Sequence, residues 1–395
     1  MLSTEPILRG TWAEIDLGKI KTNLIKVKAI LKPNTKLIAV VKANAYGHGA
    51  PIIALAMEKA GADMFGVVTV GEAMDLINYG ITKPIIVFGY IPPEAARLVI
   101  QNELRVTLFD DKLLQSLVKE SLKIGKKAFV HIKVETGLTR WGLSPESVVS
   151  FIKKASFFRE IEIEGIYSHF ASADEENKDY TYQQFELFNK TLSQIEKAGV
   201  NIPMKHIANA SATVDLPETH LDAVRPGIIL YGYEPSKVVL NPSGVEPALQ
   251  LKSRVGRVYK VASGTSVSYG RSWIAEKSSI IATLPIGYAD GYRRELSNKG
   301  KVLIRGAKLT VAGRVNMDTL MVDASPVESI AEGDEGIIIG TQGKETLWAD
   351  EIGALLGTNA NEVLVNIGYR IPRLYYDESK LIGTLSPMGG YYSTK

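Results

Sequence analysis

Short, mostly β-branched apolar runs recur through the first part of the chain, at 37–41, 64–70, 85–88, 105–109, 129–134, 161–167, 204–207 and 228–231. Between them apolar residues return every three or four positions, as at 71–79, 92–100 and 182–198, and Gly61, Gly80 and Gly199 stand where such helices would stop. Runs that are apolar throughout predict strands buried on both faces. Strand and helix in strict turn predict a parallel sheet, and eight such units predict closure into an α/β fold, the (β/α)8 TIM-type barrel. A doubly wound sheet is the competing arrangement, but no Gly-x-Gly-x-x-Gly follows the first run.

The texture changes after about residue 247. Strand patterns at 251–261, 279–284, 301–304, 308–311, 319–322 and 335–339 follow one another without long helices between them, which predicts a mostly β second domain. Residues 10–17 alternate like a strand ahead of a helix expected at 18–31. The expected division is a barrel domain over 10–245 and a mostly β domain over 246–395 that the N-terminal segment 1–17 joins.

Composition narrows the chemistry. At 395 residues the chain exceeds one ordinary core. Its net charge is +3 with Lys and Arg spread along the length, so nothing asks for nucleic acid, and small molecules are the expected partners. With no cysteine, disulfides, thiolate metal sites and a cysteine nucleophile are excluded, and no metal site is expected. No export signal opens the sequence and no run of about 18 apolar residues occurs, so a soluble cytoplasmic protein is expected.

The most informative segment is Val40-Val41-Lys42-Ala43-Asn44-Ala45-Tyr46-Gly47-His48-Gly49. Lys42 ends a buried strand, and desolvation there favours the neutral amine that can attack a carbonyl and hold it as a Schiff base. From this segment alone, a lysine that merely snorkels at a strand end explains it equally well. In a barrel, functional groups gather at the carboxyl ends of the strands. Lys133 ends the fifth run, His169 follows the sixth, Asn209 follows the seventh, and Arg225 opens the eighth. Gly227 could let backbone amides approach a phosphate. Singly, these residues are more often turns or satisfied structural side chains.

Jointly they carry a resemblance. The segments are Val41-Lys42-Ala43-Asn44-Ala45-Tyr46-Gly47-His48-Gly49, Lys133-Val134-Glu135-Thr136-Gly137-Leu138-Thr139-Arg140, Val224-Arg225-Pro226-Gly227, Val267-Ser268-Tyr269-Gly270, Gly287-Tyr288-Ala289-Asp290-Gly291 and Gly313-Arg314-Val315-Asn316-Met317-Asp318. In this order, and bounded by Trp12-Ala13-Glu14-Ile15-Asp16-Leu17 and Arg370-Ile371-Pro372-Arg373, the chain resembles the alanine racemases. The resemblance implies a barrel that binds pyridoxal 5'-phosphate, a C-terminal β domain, and a homodimer whose active sites are shared between chains. It implies interconversion of L-alanine and D-alanine by two-base Cα proton exchange on a pyridoxal-phosphate aldimine, supplying D-alanine for peptidoglycan.

By the same resemblance Lys42 holds the cofactor and is one base, and Tyr269 of the partner chain is the other. A free tyrosine titrates near pH ~10, so cations must favour its phenolate, and His169 and Arg225 are implied as their source. Arg225 also faces the pyridine nitrogen, where a fixed positive charge weakens the cofactor as an electron sink and disfavours transamination. Cofactor contacts are implied for Tyr46, Arg140, His169, Asn209, Ser211, Arg225, Gly227, Ile228 and Tyr369. Arg140 and Met317 are implied to meet the substrate, and Tyr288 and Tyr369 to narrow the entrance. Lys133 matches a lysine that many members carbamylate.

The chain departs from the family pattern in places. Ala210 stands where a phosphate-binding serine is usual, with Ser211 beside it; Glu135 replaces an aspartate, and Leu138-Thr139 replaces Met-Gly or Met-Asn. Two other readings share the barrel. A non-catalytic pyridoxal-phosphate carrier would lack the segments around Tyr269 and Met317, and a decarboxylase of this kind would carry a cysteine, of which there is none.

Overall fold

The computed structural model describes residues 9–235, 238, 240 and 243–386, with the backbone of 390–393. The start of the expected N-terminal segment, 1–8, and residues 387–389, 394 and 395 of the second domain lie outside the described residues. By packing, the chain divides into two compact units. One comprises residues 21–45 and 50–245; the other comprises the described residues of 1–20, 46–49 and 246–395.

The first unit is the barrel. Parallel strands β2 (Lys36–Val40), β3 (Met64–Val67), β4 (Ile85–Val87), β5 (Arg105–Leu108), β6 (Ala128–Lys133), β7 (Ile161–Tyr167), β8 (Met204–His206) and β9 (Ala223–Val224) close on themselves; β1 (Thr11–Asp16) precedes them in the other unit. Closure is made by Lys36 opposite Ala223 and Leu37 opposite Val224. Helices between the strands follow the apolar periodicity, and Gly61, Gly80 and Gly199 take φ of 100°, 90° and 79° as helices end, a conformation that side-chain-bearing residues rarely adopt.

Two expectations need correction here. The eighth strand is Ala223–Val224, and residues 228–231 form a 3-10 turn, so Arg225 follows the eighth strand instead of opening it. Pro226 has no N–H to continue the ladder, and Gly227 turns the chain with φ −118° and ψ −98°. The run 64–70 stops as a strand at Val67, because Thr69 and Glu72 form a capping box that starts the helix Val70–Asn78.

The barrel interior is apolar around Ile38, Met64, Ile86, Met204 and Ala223. It is polar where β6 to β9 contribute buried His131, Lys133, Tyr167, His206 and the residue after β9, Arg225. Close-packed barrel cores are normally filled by branched apolar side chains, so this polar region marks a working end.

The second unit is built on a nine-stranded sheet. Its order is Ala307–Thr310, Lys301–Ile304, Glu335–Gln342, Leu249–Arg254, β1, Arg373–Asp377, Lys380–Ser386 and Gly390–Ser393, with Glu345–Leu347 added to Glu335–Gln342. The expected strand 251–261 is two strands broken at Val255 and Gly256: Leu249–Arg254 belongs to this sheet, and Arg257–Val261 to a three-stranded sheet with Ser279–Leu284 and Leu320–Asp323. Residues 46–49 belong to this unit because Arg373, itself buried, donates to the carbonyls of Gly47 (3.1 Å), Ile367 (2.9 Å), Gly368 (3.0 Å) and Ile371 (2.7 Å). Tyr375 donates to the carbonyl of His48 at 2.9 Å, and a Cβ on Gly49 would meet that phenol oxygen at 1.8 Å. Only glycine fits at position 49.

Candidate active site

Lys42 follows β2 and opens a backbone turn of unusual hand. Ala43, Asn44, Ala45 and Tyr46 take φ of 50°, 54°, 52° and 51°. Left-handed backbone costs L-residues roughly 1–2 kcal/mol each, so it persists only where neighbours hold it, typically at functional sites. Here the Ala43 amide donates to Glu72 Oε1 at 2.7 Å, Ala45 donates to the Val41 carbonyl at 2.9 Å, and Ala50 donates to Asn44 Oδ1 at 2.9 Å. Burial, then the charge of Arg140, lowers the Lys42 pKa, while Glu72 opposes them. More of this lysine is neutral amine at a given pH than of a free one.

Arg225 is the fixed point of the barrel site. Its Nη1 donates to His206 Nδ1 at 2.7 Å; its Nη2 meets the carbonyls of Ser168 at 2.7 Å and Ile207 at 2.9 Å and His169 Nδ1 at 3.0 Å. The guanidinium also stands 5.2 Å over the Tyr167 ring. Tyr167 stacks on His206 with the rings 4.8 Å apart, and its hydroxyl bonds to Thr107 at 2.7 Å. Behind His206 lies His131, Nε2 to Nδ1 at 2.9 Å, then Glu164 at 3.5 Å, then Arg105 at 2.8 Å from Glu164.

His169 is held neutral. Burial, then the charges of Arg225, Lys133, Arg140 and Lys42, pushes its pKa well below that of free imidazole. Arg225 is the fixed cation beside it, with Nη2 3.0 Å from His169 Nδ1, and burial biases His169 towards its neutral ring. Arg225, Lys133, Arg140 and Lys42 all act on His169, so the five side chains gather around one region.

Lys133 ends β6 with its Nζ 4.6 Å over the Tyr167 ring. Burial, then Arg225 and Arg140, lowers its pKa far below that of free lysine, against Glu135. Glu135 binds the following loop, accepting from the Gly137 amide at 2.5 Å and the Arg140 amide at 3.3 Å. The longer carboxylate thus folds back onto the backbone that presents Arg140.

At β8 and β9, Asn209 caps the helix Ala210–Asp215 by accepting from the Ala212 amide at 3.1 Å, and Ser211 is buried in that helix. Gly227 and Ile228 open the 3-10 turn Ile228–Tyr231, where the first amides have no partner within the turn. A lysine biased towards its neutral amine, a buried guanidinium with every terminal nitrogen oriented by acceptors, and amides at a turn start form a donor set that fits pyridoxal phosphate: an amine for its aldehyde, a cation for its ring nitrogen and N–H groups for its phosphate.

In the other unit, Tyr269, Tyr288, Arg314, Asn316, Met317 and Asp318 line an open cleft of about 910 Å³. Tyr269 is 72% exposed and starts a short turn after Ser268, whose φ is 65°. Ser268 Oγ donates to the Arg314 carbonyl at 2.6 Å and lies 3.0 Å from Asn316 Oδ1, and a Cβ on Gly270 would strike the Arg314 guanidinium at 2.8 Å. Tyr288 and Ala289 donate their amides to the carbonyls of Asn316 and Met317, both at 3.0 Å. Asp318 pairs with Arg370 at 2.5 Å, and Arg370 pairs with buried Asp290 at 2.8 Å. Tyr46 is buried enough to push its phenol up to about 12, and Tyr369 is 81% exposed outside the residues that line the cleft.

Two family patterns cover the chain: "Alanine racemase, N-terminal domain" over 15–235 and "Alanine racemase, C-terminal domain" over 248–375. Alanine racemase 1 of Caldanaerobacter subterraneus subsp. tengcongensis is 42% identical over 380 residues, 96% of this chain and 98% of that protein. The chain belongs to the alanine racemase family. Alanine racemase of Methanococcus maripaludis is 43% identical over 92% of this chain and 98% of its own length. The structure of alanine racemase from Clostridium difficile 630 superposes with a TM-score of 0.93 at 39% identity, covering 96% of this chain and 99% of that one. That of the Bacillus anthracis enzyme, solved with bound L-Ala-P, gives 0.93 at 33% identity, covering 97% and 99%.

Several residues that shape the barrel site lie outside the family's motifs in the sequence. His131 stands two positions before Lys133 on one strand, so the period of two already puts both on one face. His206, Glu164 and Glu72 carry no such pairing signal. Lone histidines and helix-capping glutamates are ordinary, and their meaning appears only when the barrel closes.

Proposed function

We propose that this chain interconverts L-alanine and D-alanine as a homodimer, with Lys42 and the partner's Tyr269 as the two bases. The observation that carries the reading is Lys42, made a better nucleophile by burial, on the same barrel end as a buried and fully oriented Arg225, in a chain of this family. As a member, the chain is a pyridoxal-phosphate-dependent racemase. Bound pyridoxal phosphate withdraws electrons from an attached amino acid and makes its Cα–H acidic. The rest falls to the protein. Racemisation needs a proton to leave one face of Cα and return on the other, which one base on one face cannot do. Lys42 Nζ takes the proton from D-alanine, and Tyr269 Oη takes it from L-alanine.

For Tyr269 to act as a base its phenolate needs stabilising. Arg225 supplies positive charge, and the neutral His169, whose Nδ1 faces Arg225, keeps its Nε2–H as the donor for that oxygen. Arg225 would face the ring nitrogen of bound pyridoxal phosphate, where its fixed positive charge disfavours protonation. Tyr46, Asn209, Ser211, Tyr369 and the amides of Gly227 and Ile228 would hold the cofactor, chiefly its phosphate. Arg140 and Met317 orient the substrate carboxylate, and Tyr288 and Tyr369 limit its side chain to a small one.

Lys133 is carbamylated in this reading. Its neutral amine adds to carbon dioxide, forming an N–C bond and releasing one proton, and the resulting anion pairs with Arg140 instead of repelling it. D-alanine made in the cytoplasm would supply peptidoglycan. Among the described residues no helix is long and apolar enough to cross a membrane. The test is circular dichroism of L-alanine, and separately L-serine, incubated with the purified protein and pyridoxal phosphate. Decay of the L-alanine signal to zero, faster than that of L-serine, is expected; a persistent L-alanine signal overturns the reading.

A further inference from the structure

Glu72 does more than cap its helix. In a capping box the glutamate returns to the N-cap amide, and Glu72 Oε2 does so, accepting from Thr69 at 3.2 Å and from Val68 at 2.8 Å while Thr69 Oγ1 accepts from the Glu72 amide at 3.1 Å. That task uses one oxygen. The other, Oε1, reaches across from the helix start after β3 to the turn after β2 and accepts the Ala43 amide at 2.7 Å, the shortest of these four bonds. Ala43 is the first left-handed residue after Lys42, with φ 50°.

We propose that Glu72 is a positioning residue for the reaction: its Oε1 locks the left-handed turn that carries Lys42 and so fixes where the lysine amine stands. This rests on Lys42 being the cofactor-holding base, as proposed above. The turn of Ala43 to Tyr46 takes a hand that L-residues rarely adopt, and a turn so strained relaxes unless anchored at its start. Asn44 anchors the end of the same segment by accepting from Ala50 at 2.9 Å. The carboxylate also faces Lys42 as its favourable charge, opposite Arg140, with His169 as a further neighbour of the lysine.

The test exploits the need for two accepting oxygens. In Glu72→Gln one oxygen can still serve Thr69 and Val68, but the amide NH2 then opposes the Ala43 N–H. Thr69→Ala is the control, because it breaks the other half of the capping box and leaves the Ala43 bond intact. Hydrogen exchange over residues 41–50 and racemisation kinetics are measured on the holoenzyme of wild type and both variants. Glu72→Gln is expected to exchange faster at Ala43 and to lose roughly tenfold to a hundredfold in kcat, with a smaller change in KM, the loss typical of a displaced reacting group. Thr69→Ala is expected to match wild type in both. If Glu72→Gln matches Thr69→Ala in exchange or in kcat, the inference is overturned. If wild type fails to racemise alanine, the proposed function falls, while the exchange comparison still decides whether Glu72 holds the turn.

Discussion

His206 Nε2 lies 2.9 Å from His131 Nδ1 inside the barrel, and this bond fixes the protonation of both rings. Arg225 can only donate, so His206 Nδ1, 2.7 Å from it, accepts, and His206 carries its proton on Nε2. That proton is given to His131 Nδ1, so His131 carries its own on Nε2, directed at Glu164 at the long distance of 3.5 Å. Both rings are neutral, since burial, ahead of the charge of Arg225 for His206, lowers their pKa values. The donors thus run in one direction, from the cation at the site to a carboxylate that Arg105 holds. Hydrogen bonds in such a run polarise one another, so Arg225 is oriented through His206 and His131, while the 3.5 Å contact from His131 Nε2 to Glu164 is too long to add a further bond.

The space for this pair depends on Gly165. A Cβ there would lie 2.3 Å from His131 Nδ1, and the β6–β7 register shifts between Val130 and His131, as a bulge that re-aims a side chain does. Gly165→Ala is expected to destabilise the fold by about 1–3 kcal/mol, the usual cost of overpacking, measured by urea unfolding. Unchanged stability would mean the ring has room to move.

Glu164 should leave a mark on acid stability. Burial raises its pKa, but His131 and Arg105 beside it prevail and bring it from 4.5 to about 2. A carboxyl depressed in the folded state contributes stability that is present above its unfolded pKa and is lost as pH falls towards the folded value. Wild type should therefore lose stability relative to Glu164→Gln as pH falls below about 4.5, the unfolded value. Parallel urea midpoints from pH 6 to 3.5 check this, and a constant difference would refute the pairing.

Lys133 can be tested without kinetics. Protein equilibrated with 13C-labelled bicarbonate should show a carbamate carbon resonance that Lys133→Ala lacks. Absence of the resonance in wild type would leave Lys133 as a neutral amine beside Arg225 and Arg140.

The missing phosphate serine makes its own prediction. If buried Ser211 takes over from Ala210, Ser211→Ala should weaken pyridoxal-phosphate binding by about 0.5–1.5 kcal/mol, roughly two- to tenfold, in a titration of cofactor absorbance. Equal affinity would show that the site works with one hydrogen bond fewer.

Much of this was legible in the chain. Residues 161–167, 279–284 and 301–304 are strands with the expected bounds, because their β-branched residues favour extended backbone and bury against the core. Residues 228–231 misled because a short apolar run looks alike as strand or as buried turn, while the true strand Ala223–Val224 is too short to have a period. The motif residues of the barrel did meet, as the charges around His169 show. The supports did not announce themselves: Glu164, His206 and Glu72 act through partners 29 to 75 positions away, and such pairings arise only from closure of the fold.

The most direct test of the two-base claim is Cα-proton exchange in D2O with Tyr269→Phe, each alanine enantiomer supplied separately. The expected result is intact cofactor absorbance, continued deuterium entry into D-alanine through Lys42 without racemisation, and L-alanine left unexchanged. Exchange of L-alanine at the wild-type rate would contradict the assignment of Tyr269 as its base.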